Sequence, residues 1–387
     1  MAATTTATPR DTSPSFGLKL RVYLYQSAIL GIIIAFNIGG ILFNLAGSRI
    51  YVVAFYVSLR LLTPGGSMGS QKTPPGGAWR RFSEHWFFPL EPLRSYLGLA
   101  FAEPPREFVE AEAKPGAQFL FAAFPHGIGA DYRLPMDGVV RVVMPNLVEK
   151  DKMRYLAASV LFSIPLVREL CLWTGCIDAG RKHAEAALSE PHNKSLLVLP
   201  GGEAEQIQTI YGKEKLYLSK RKGFIKLAMR KGVPVVPMYV FGSSDAYYTF
   251  HSDDDDDDKN NNKFDWTFYK LRYRLMKNFG ICITVACGLW GNPLCPLPKK
   301  MTIVTGRPIR FERQQQQAAA AEKPPGSGKS EGDSAGDGVV ASAAATGFEP
   351  TTEELDAGHA LFVRELTALF DAHKSRLGYG DRTLEVI

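Results

Sequence analysis

Between Val22 and Leu59 the chain carries a single charge, Arg49. So long an apolar run cannot lie in water, and it exceeds the roughly 20 residues that one membrane-spanning helix needs. Asn37-Ile38-Gly39-Gly40 interrupts it, and Gly47 to Arg49 interrupts it again. The run therefore predicts a membrane-embedded helical hairpin over residues 21–62, turning at one of those two places. Dipping into one leaflet is as compatible with its length as crossing twice. Arg10, Lys19 and Arg21 flank it on one side, and Arg60, Lys72, Arg80 and Arg81 on the other. Positive charge on both sides predicts that both ends face the cytosol.

The remainder sorts by composition. Residues 1–20 are rich in Ala, Thr, Ser and Pro and predict a disordered tail. Residues 63–99 are a Pro/Gly linker running into the aromatic and basic stretch Trp79 to Leu99, an interfacial segment or an amphipathic helix on the core. The linker contains Gly65-Gly66-Ser67-Met68-Gly69, but no core strand precedes it and no helix follows, so Ser67 does not read as a hydrolase nucleophile. From residue 100 to 312, short apolar runs alternate with helical patterns. Phe119 to Phe124, Ser195 to Pro200, Val233 to Gly242, Gly280 to Cys287 and Met301 to Ile309 read as strands. Asp151 to Glu169, Lys182 to Glu190, Lys222 to Lys231 and Phe264 to Phe279 read as helices. This predicts an α/β domain, a mostly parallel sheet flanked by helices, with ligand groups at the carboxyl ends of its strands. The aspartate-rich tract 251–263 is an acidic insertion without calcium-loop spacing. Residues 313–350 are low-complexity in composition and predict a disordered insertion. Residues 351–387 carry an amphipathic helix with Leu355, Leu361, Phe362, Leu366, Leu369 and Phe370 along its apolar stripe, predicted to pack on the core.

The net charge is +6 and the pI about 8.9. The excess is dispersed, which suits a membrane surface or an anionic co-substrate, and no nucleic-acid motif accompanies it. Five cysteines are present. Cys171 and Cys176 have no histidine partner at zinc-finger spacing, and the odd spacing of Cys282 and Cys287 along a strand-like run predicts thiols on opposite faces, so all five read as reduced thiols and no metal site is expected.

Within the α/β region the strand-like run Phe119 to Phe124 stops at Pro125, and His126, Gly127 and, five residues after the histidine, Asp131 follow. A strand end that delivers a histidine into a glycine turn is where such a fold places a base. A carboxylate returning to the imidazole would orient the ring and offset its developing charge. Three further polar turns follow in order. Arg181 comes after Gly175 to Gly180. Gly201-Gly202-Glu203 follows Pro200, its glycines letting backbone amides approach a ligand. Arg221-Lys222 opens a basic helix.

These blocks, in this order, resemble the glycerolipid acyltransferases, and in detail the type-2 diacylglycerol acyltransferase family with its monoacylglycerol and wax-ester members. The matching residues are Pro125-His126-Gly127, PGGEAE at 200–205, RKGFIKLA at 221–228, VPMYVFG at 236–242 and Thr383-Leu384-Glu385-Val386-Ile387. Phe124 stands where animal members often carry a first histidine. The resemblance covers roughly residues 20–310 and 355–387. It implies an acyl-CoA-dependent O-acyltransferase of the endoplasmic reticulum membrane that makes triacylglycerol from diacylglycerol, with lipid droplets as a second location. A monoacylglycerol or fatty-alcohol acceptor and a non-enzymatic droplet protein are the alternatives. It implies catalytic roles for His126, Asp131, Gly127 and Glu203, and substrate contacts at Pro125, Arg181, Gly201, Gly202, Arg221 and Lys222. Acyl-CoA is expected as co-substrate with no bound cofactor, diacylglycerol and membrane lipid as partners, and a homo-oligomer remains open.

Overall fold

The computed structural model describes residues 13–45, 57, 90–136, 139–140, 143–149, 152–249, 263–279, 282–311 and 349–387. In chain order the strands are β1 (Ala100–Phe101), β2 (Leu120–Phe124), β3 (Met153–Ala157), β4 (Cys176–Asp178), β5 (Ser195–Val198), β6 (Glu214–Leu216), β7 (Val235–Phe241), β8 (Tyr248–Thr249), β9 (Ala286–Cys287), β10 (Thr302–Thr305) and β11 (Leu384–Val386). Seven form one sheet in the order β1-β10-β7-β2-β5-β3-β4. Its pairs are parallel except β10 with β7, so β1 and β10 run against the other five.

β2 and β7 lie at the centre and are buried along their whole length. That explains why both read as continuous apolar runs rather than alternating ones. Because side chains alternate across a strand, Phe119, Phe121 and Ala123 enter one core while Leu120, Ala122 and Phe124 enter the other. The first core takes Val22 of the N-terminal helix. The second takes Phe362, Leu366, Leu369 and Phe370 of the helix Thr352–Lys374, with Leu355 and Leu361 packed partly buried against it, so all six expected stripe positions face the core. That helix is started by a capping box: the Glu354 amide donates to the Thr351 hydroxyl at 3.2 Å, and the Thr351 amide to the Glu354 carboxylate at 2.9 Å.

Several expectations are corrected. The N-terminal helix runs unbroken from Phe16 to Leu45, so Phe16 to Leu20 are helical rather than a disordered tail. Nor does the chain turn at Asn37 to Gly40. Asn37 stays in the helix by donating to the Ile33 carbonyl at 2.9 Å, and it reaches the Pro165 carbonyl of the α/β domain at 3.3 Å. The hairpin's second turning point, the linker, Ser67, residues 250–262 and most of 313–350 lie outside the described residues. Asp151 to Glu169 is not one helix. It holds β3, a short 3-10 turn at Ser159–Phe162 and the start of the helix Val167–Trp173. Of Gly280 to Cys287, only Ala286–Cys287 is strand among the described residues. Leu90 to Tyr96, in the expected interfacial stretch, is a short helix with Leu90, Leu93 and Tyr96 buried on the core.

A second, smaller sheet clasps the far end of the chain. β11 pairs in parallel with β6, and the Ile387 carbonyl accepts the amides of Leu218 and Ser219 at 3.0 and 2.9 Å. Beside it, Glu214 accepts from the hydroxyls of Tyr239 (2.6 Å) and Ser244 (2.9 Å) and from Arg382 (2.8 Å). The other arm of the Arg382 guanidinium donates to Asp245 at 3.0 Å. Both carboxylates of this knot are buried and share one cation.

Candidate functional site

The carboxyl ends of β2, β3, β4, β5 and β7 share one edge of the sheet, where an open α/β sheet gathers its ligands. At the end of β2, His126 is enclosed by protein but keeps part of its surface open. Its Nδ1 lies 3.1 Å from the Gly127 carbonyl. A carbonyl oxygen only accepts, so Nδ1 carries the proton and Nε2 is left with its lone pair. Burial holds the imidazole below its ordinary pKa, with the hydrogen bond to Gly127 opposing, so the ring is neutral at neutral pH. Gly127 has φ of +63°, and a Cβ there would come within 2.6 Å of the Ser243 hydroxyl at the end of β7. No other residue fits this position.

The turn after β5 lies against it. Gly202 has φ of +54° and opens the helix Gly202–Gln206. The Glu205 carboxylate turns back beneath Gly201, where a Cβ would meet its Oε2 at 2.2 Å. Glu205 accepts the backbone amide of His126 and, at 2.9 Å, that of Tyr217. Gln206 donates to the Ile128 carbonyl. The two glycine turns are thus sewn together by one buried carboxylate and one amide. Burial pushes the Glu205 carboxyl up to about 7, against the two amides and the nearby Arg221. Sequence reading chose Glu203 from this motif and missed Glu205. Glu203 is partly exposed, its carboxyl raised by burial with Arg221 opposing.

Asp131 comes to the same region without bonding to the imidazole. It accepts from the Tyr247 hydroxyl at 2.8 Å, and burial raises it to about 6. The ring orientation expected of Asp131 is supplied by the Gly127 carbonyl. Pro125 is fixed from behind, its carbonyl accepting from the Tyr132 hydroxyl at 3.0 Å. Arg221 donates to the Gly201 carbonyl at 3.2 Å, its guanidinium 5.0 Å from the Tyr217 ring. Lys222 pairs with Asp356 of the C-terminal helix at 2.6 Å. Arg181 lies beyond the end of β4, exposed, in a 2.8 Å pair with Glu185. It follows the tight turn at Asp178, which accepts from Ser159 and from the Gly180 amide. β4 is three strands from β2, roughly 14 Å at the usual strand spacing. Among the described residues no group of three His, Cys, Asp or Glu side chains could hold a metal ion, and the five cysteines are free thiols.

The arrangement therefore joins a neutral imidazole of defined tautomer, two buried carboxyls whose pKa values are raised toward neutrality, and two turns with closely approachable backbone. Such a set can move a proton and stabilise charge that develops beside it.

Comparison with known proteins matches residues 104–322 to the family model described as diacylglycerol acyltransferase. Diacylglycerol O-acyltransferase 2 of Danio rerio is 26% identical over 284 residues, 70% of this chain and 65% of that protein. 2-acylglycerol O-acyltransferase 3 of Homo sapiens is 26% identical over 280 residues, 69% of this chain and 68% of its own length. Diacylglycerol O-acyltransferase 1 of Saccharomyces cerevisiae is 30% identical over 204 residues, covering 51% of this chain and 46% of the relative. The chain thus spans less than two thirds of the zebrafish relative and about half of the yeast one.

Proposed function

The chain belongs to the diacylglycerol acyltransferase family, and from that premise we propose that it transfers a fatty acyl group from acyl-CoA to the free hydroxyl of diacylglycerol, forming triacylglycerol. The observation that carries this reading is the 3.1 Å approach of His126 Nδ1 to the Gly127 carbonyl, which favours the tautomer whose Nε2 can take a proton. An alcohol is a poor nucleophile until a base removes its proton. Nε2 takes the hydroxyl proton as the alcohol oxygen attacks the thioester carbon. The tetrahedral intermediate then collapses, the carbon–sulfur bond breaks, and the departing CoA sulfur receives the proton from the imidazolium. No covalent acyl-enzyme forms, and no bound cofactor enters.

The roles of the other residues are part of the proposal. Backbone amides at Gly127 and Gly201 stabilise the oxyanion, the Gly202 amide being engaged with the Leu199 carbonyl at 3.1 Å; one such donor is typically worth a factor on the order of 10² to 10³. Glu205 is a positioning residue, holding the His126 turn to the Gly201 turn. Asp131 sets the local field through Tyr247 rather than touching the ring. Glu203 faces the acceptor, and Pro125 shapes the entrance. Arg221 and Lys222 near one end and Arg181 at the other lie along the edge on which an extended CoA would place its phosphates. The N-terminal helix lies in the endoplasmic reticulum membrane with the α/β domain and both ends of the chain on the cytosolic side, where CoA is; lipid droplets and a homo-oligomer belong to the same reading.

His126→Ala expressed in a host lacking neutral-lipid synthesis tests this. The lipid extract should contain no triacylglycerol while the protein level in microsomes is unchanged; retained synthesis removes the imidazole from the mechanism. The 26% identity to a 2-acylglycerol acyltransferase favours monoacylglycerol as the second acceptor to test. Labelled acyl-CoA offered with diacylglycerol, monoacylglycerol or a fatty alcohol separates the three, and no transfer to any would leave the non-enzymatic droplet protein.

A further inference from the structure

Of the helix window Phe16–Gly39, only 6% is buried in the protein. Leu20, Leu24, Ile32, Ile34 and Ile38 point outward, so the helix offers the α/β domain only a narrow stripe. Val22 enters the core, Ser27 accepts from Asn292 at 2.9 Å, and Asn37 reaches Pro165. Asn292 lies in a loop that reads as soluble-domain sequence, Gly288 to Leu297. Leu289, Cys295 and Leu297 root this loop in the core. The Leu289 amide closes on the Cys295 carbonyl at 2.8 Å, and a Cβ at Gly288 would come within 1.9 Å of the same oxygen.

Held that tightly, the loop nonetheless turns its two large apolar tips outward. Trp290 is 51% exposed and Leu294 43%. Trp290 has φ of +51°, a left-handed backbone that a bulky residue rarely adopts. Its ring meets Phe16 at 5.9 Å and Tyr23 at 5.2 Å between centroids, and Phe16 is itself 69% exposed. The exposed tips thus continue the helix's uncovered face. Lys19 and Arg21 sit on the same stretch of helix, Arg21 lying 5.7 Å from the Tyr25 ring. Tryptophan and tyrosine beside cations, at the end of an apolar helix, is the composition of the headgroup level of a bilayer. A contiguous apolar patch of this kind on a rigid support requires a cover.

We propose that the Gly288–Leu297 loop is a second membrane contact, seating Trp290 and Leu294 in the headgroup region of the leaflet that the N-terminal helix enters. This rests on the reading that the helix lies in a bilayer, and names where the α/β domain itself touches the lipid. The contact is wired to the site. Leu297 bonds the Ala246 carbonyl at 2.7 Å, and the adjacent Tyr247 holds Asp131. The loop thus brings the polar edge of the sheet down to the surface from which a lipid acceptor arrives.

Brominated-lipid quenching tests the proposal on the full chain in phosphatidylcholine vesicles. The chain has five tryptophans, so the fluorescence difference between the unsubstituted protein and Trp290→Phe isolates Trp290. Bromines on the acyl chains should remove most of that component, and aqueous iodide should remove little. Leu294→Trp in the Trp290→Phe background should restore a component quenched by the brominated lipid. Quenching of both positions by iodide alone overturns the proposal, as does shielding from both quenchers, which would mean that a protein surface covers the loop. Ile32→Trp, on the outward face of the helix, reports the anchor separately. If it is quenched by bromolipid and the loop positions are not, only the loop contact fails. If it too escapes, the helix is not in the bilayer, and the membrane reading falls with the proposal.

Discussion

Two buried polar knots lie within a few residues of each other along the chain, and they are built on opposite principles. In one, Glu214 and Asp245 share the Arg382 guanidinium, and Glu214 also accepts two hydroxyls. In the other, Glu205 and Asp131 hold backbone amides and a tyrosine hydroxyl, with no cation bonded to either. A buried carboxylate bonded to a cation is a structural pair, costly to break by removing one partner. One without such a partner drifts toward neutrality, as these two do at about 7 and about 6, which is the pattern of sites that exchange protons. The neutral imidazole of His126 sits with the second knot.

The comparison breaks most visibly at His126. His126→Ala should lower the acyl-transfer rate by a factor on the order of 10² to 10⁴ with an unchanged unfolding midpoint; a variant that unfolds instead would make the ring structural. Arg382→Met should do the opposite. It strands two buried carboxylates and should cost about 3–5 kcal/mol in denaturant titration, with activity per folded molecule retained. Glu205→Gln is expected to fall between. An amide nitrogen facing a backbone donor loses a hydrogen bond, about 1–3 kcal/mol, and the KM for acyl-CoA should move less than kcat.

That variant also sharpens the comparison through pH. Glu205 and Asp131 have folded pKa values above those of the unfolded chain, so the folded state retains protons that the unfolded chain has released. Their contribution to stability is full below the ordinary carboxylate range and is lost as pH rises through about 6 and about 7. Glu205→Gln and Asp131→Asn together should flatten this decline in pH-resolved unfolding curves. The smallest effect is expected at Lys222→Ala. It breaks a partly exposed pair with Asp356 and should shift stability by about 0.2–1 kcal/mol.

Much of the central sheet was legible because a strand buried on both faces leaves an uninterrupted apolar run. Phe119 to Phe124 and Val235 to Phe241 are such strands. β3 was not, because Arg154, its second residue, is fully buried, and a charged residue there imitates the polar face of a helix. β4 is three residues long, too short for any period to show. At the site, His126 and the glycine turns were readable from residue type alone. The PGGEAE motif holds two glutamates, and only the Cβ that Gly201 lacks says which one lies beneath the turn. The spacing of His126 to Asp131 suggested a contact, but the partner each side chain takes is decided by tertiary packing: Gly127 for the ring, and Tyr247, 116 residues downstream, for the carboxylate.

The clasp of β11 on β6 has a consequence for synthesis. Arg382 is made 168 residues after Glu214, a delay on the order of ten to thirty seconds on a ribosome. Throughout that interval Glu214 has no counter-charge, and the adjoining Tyr217 amide, which Glu205 needs, belongs to a segment whose neighbouring strand has not yet been translated. Nascent chains stalled before Arg382 are therefore expected to be cut by protease between Tyr217 and Arg221, and released chains to resist. The turns around His126 and Gly201 would set last, after the N-terminal helix has long since left the tunnel.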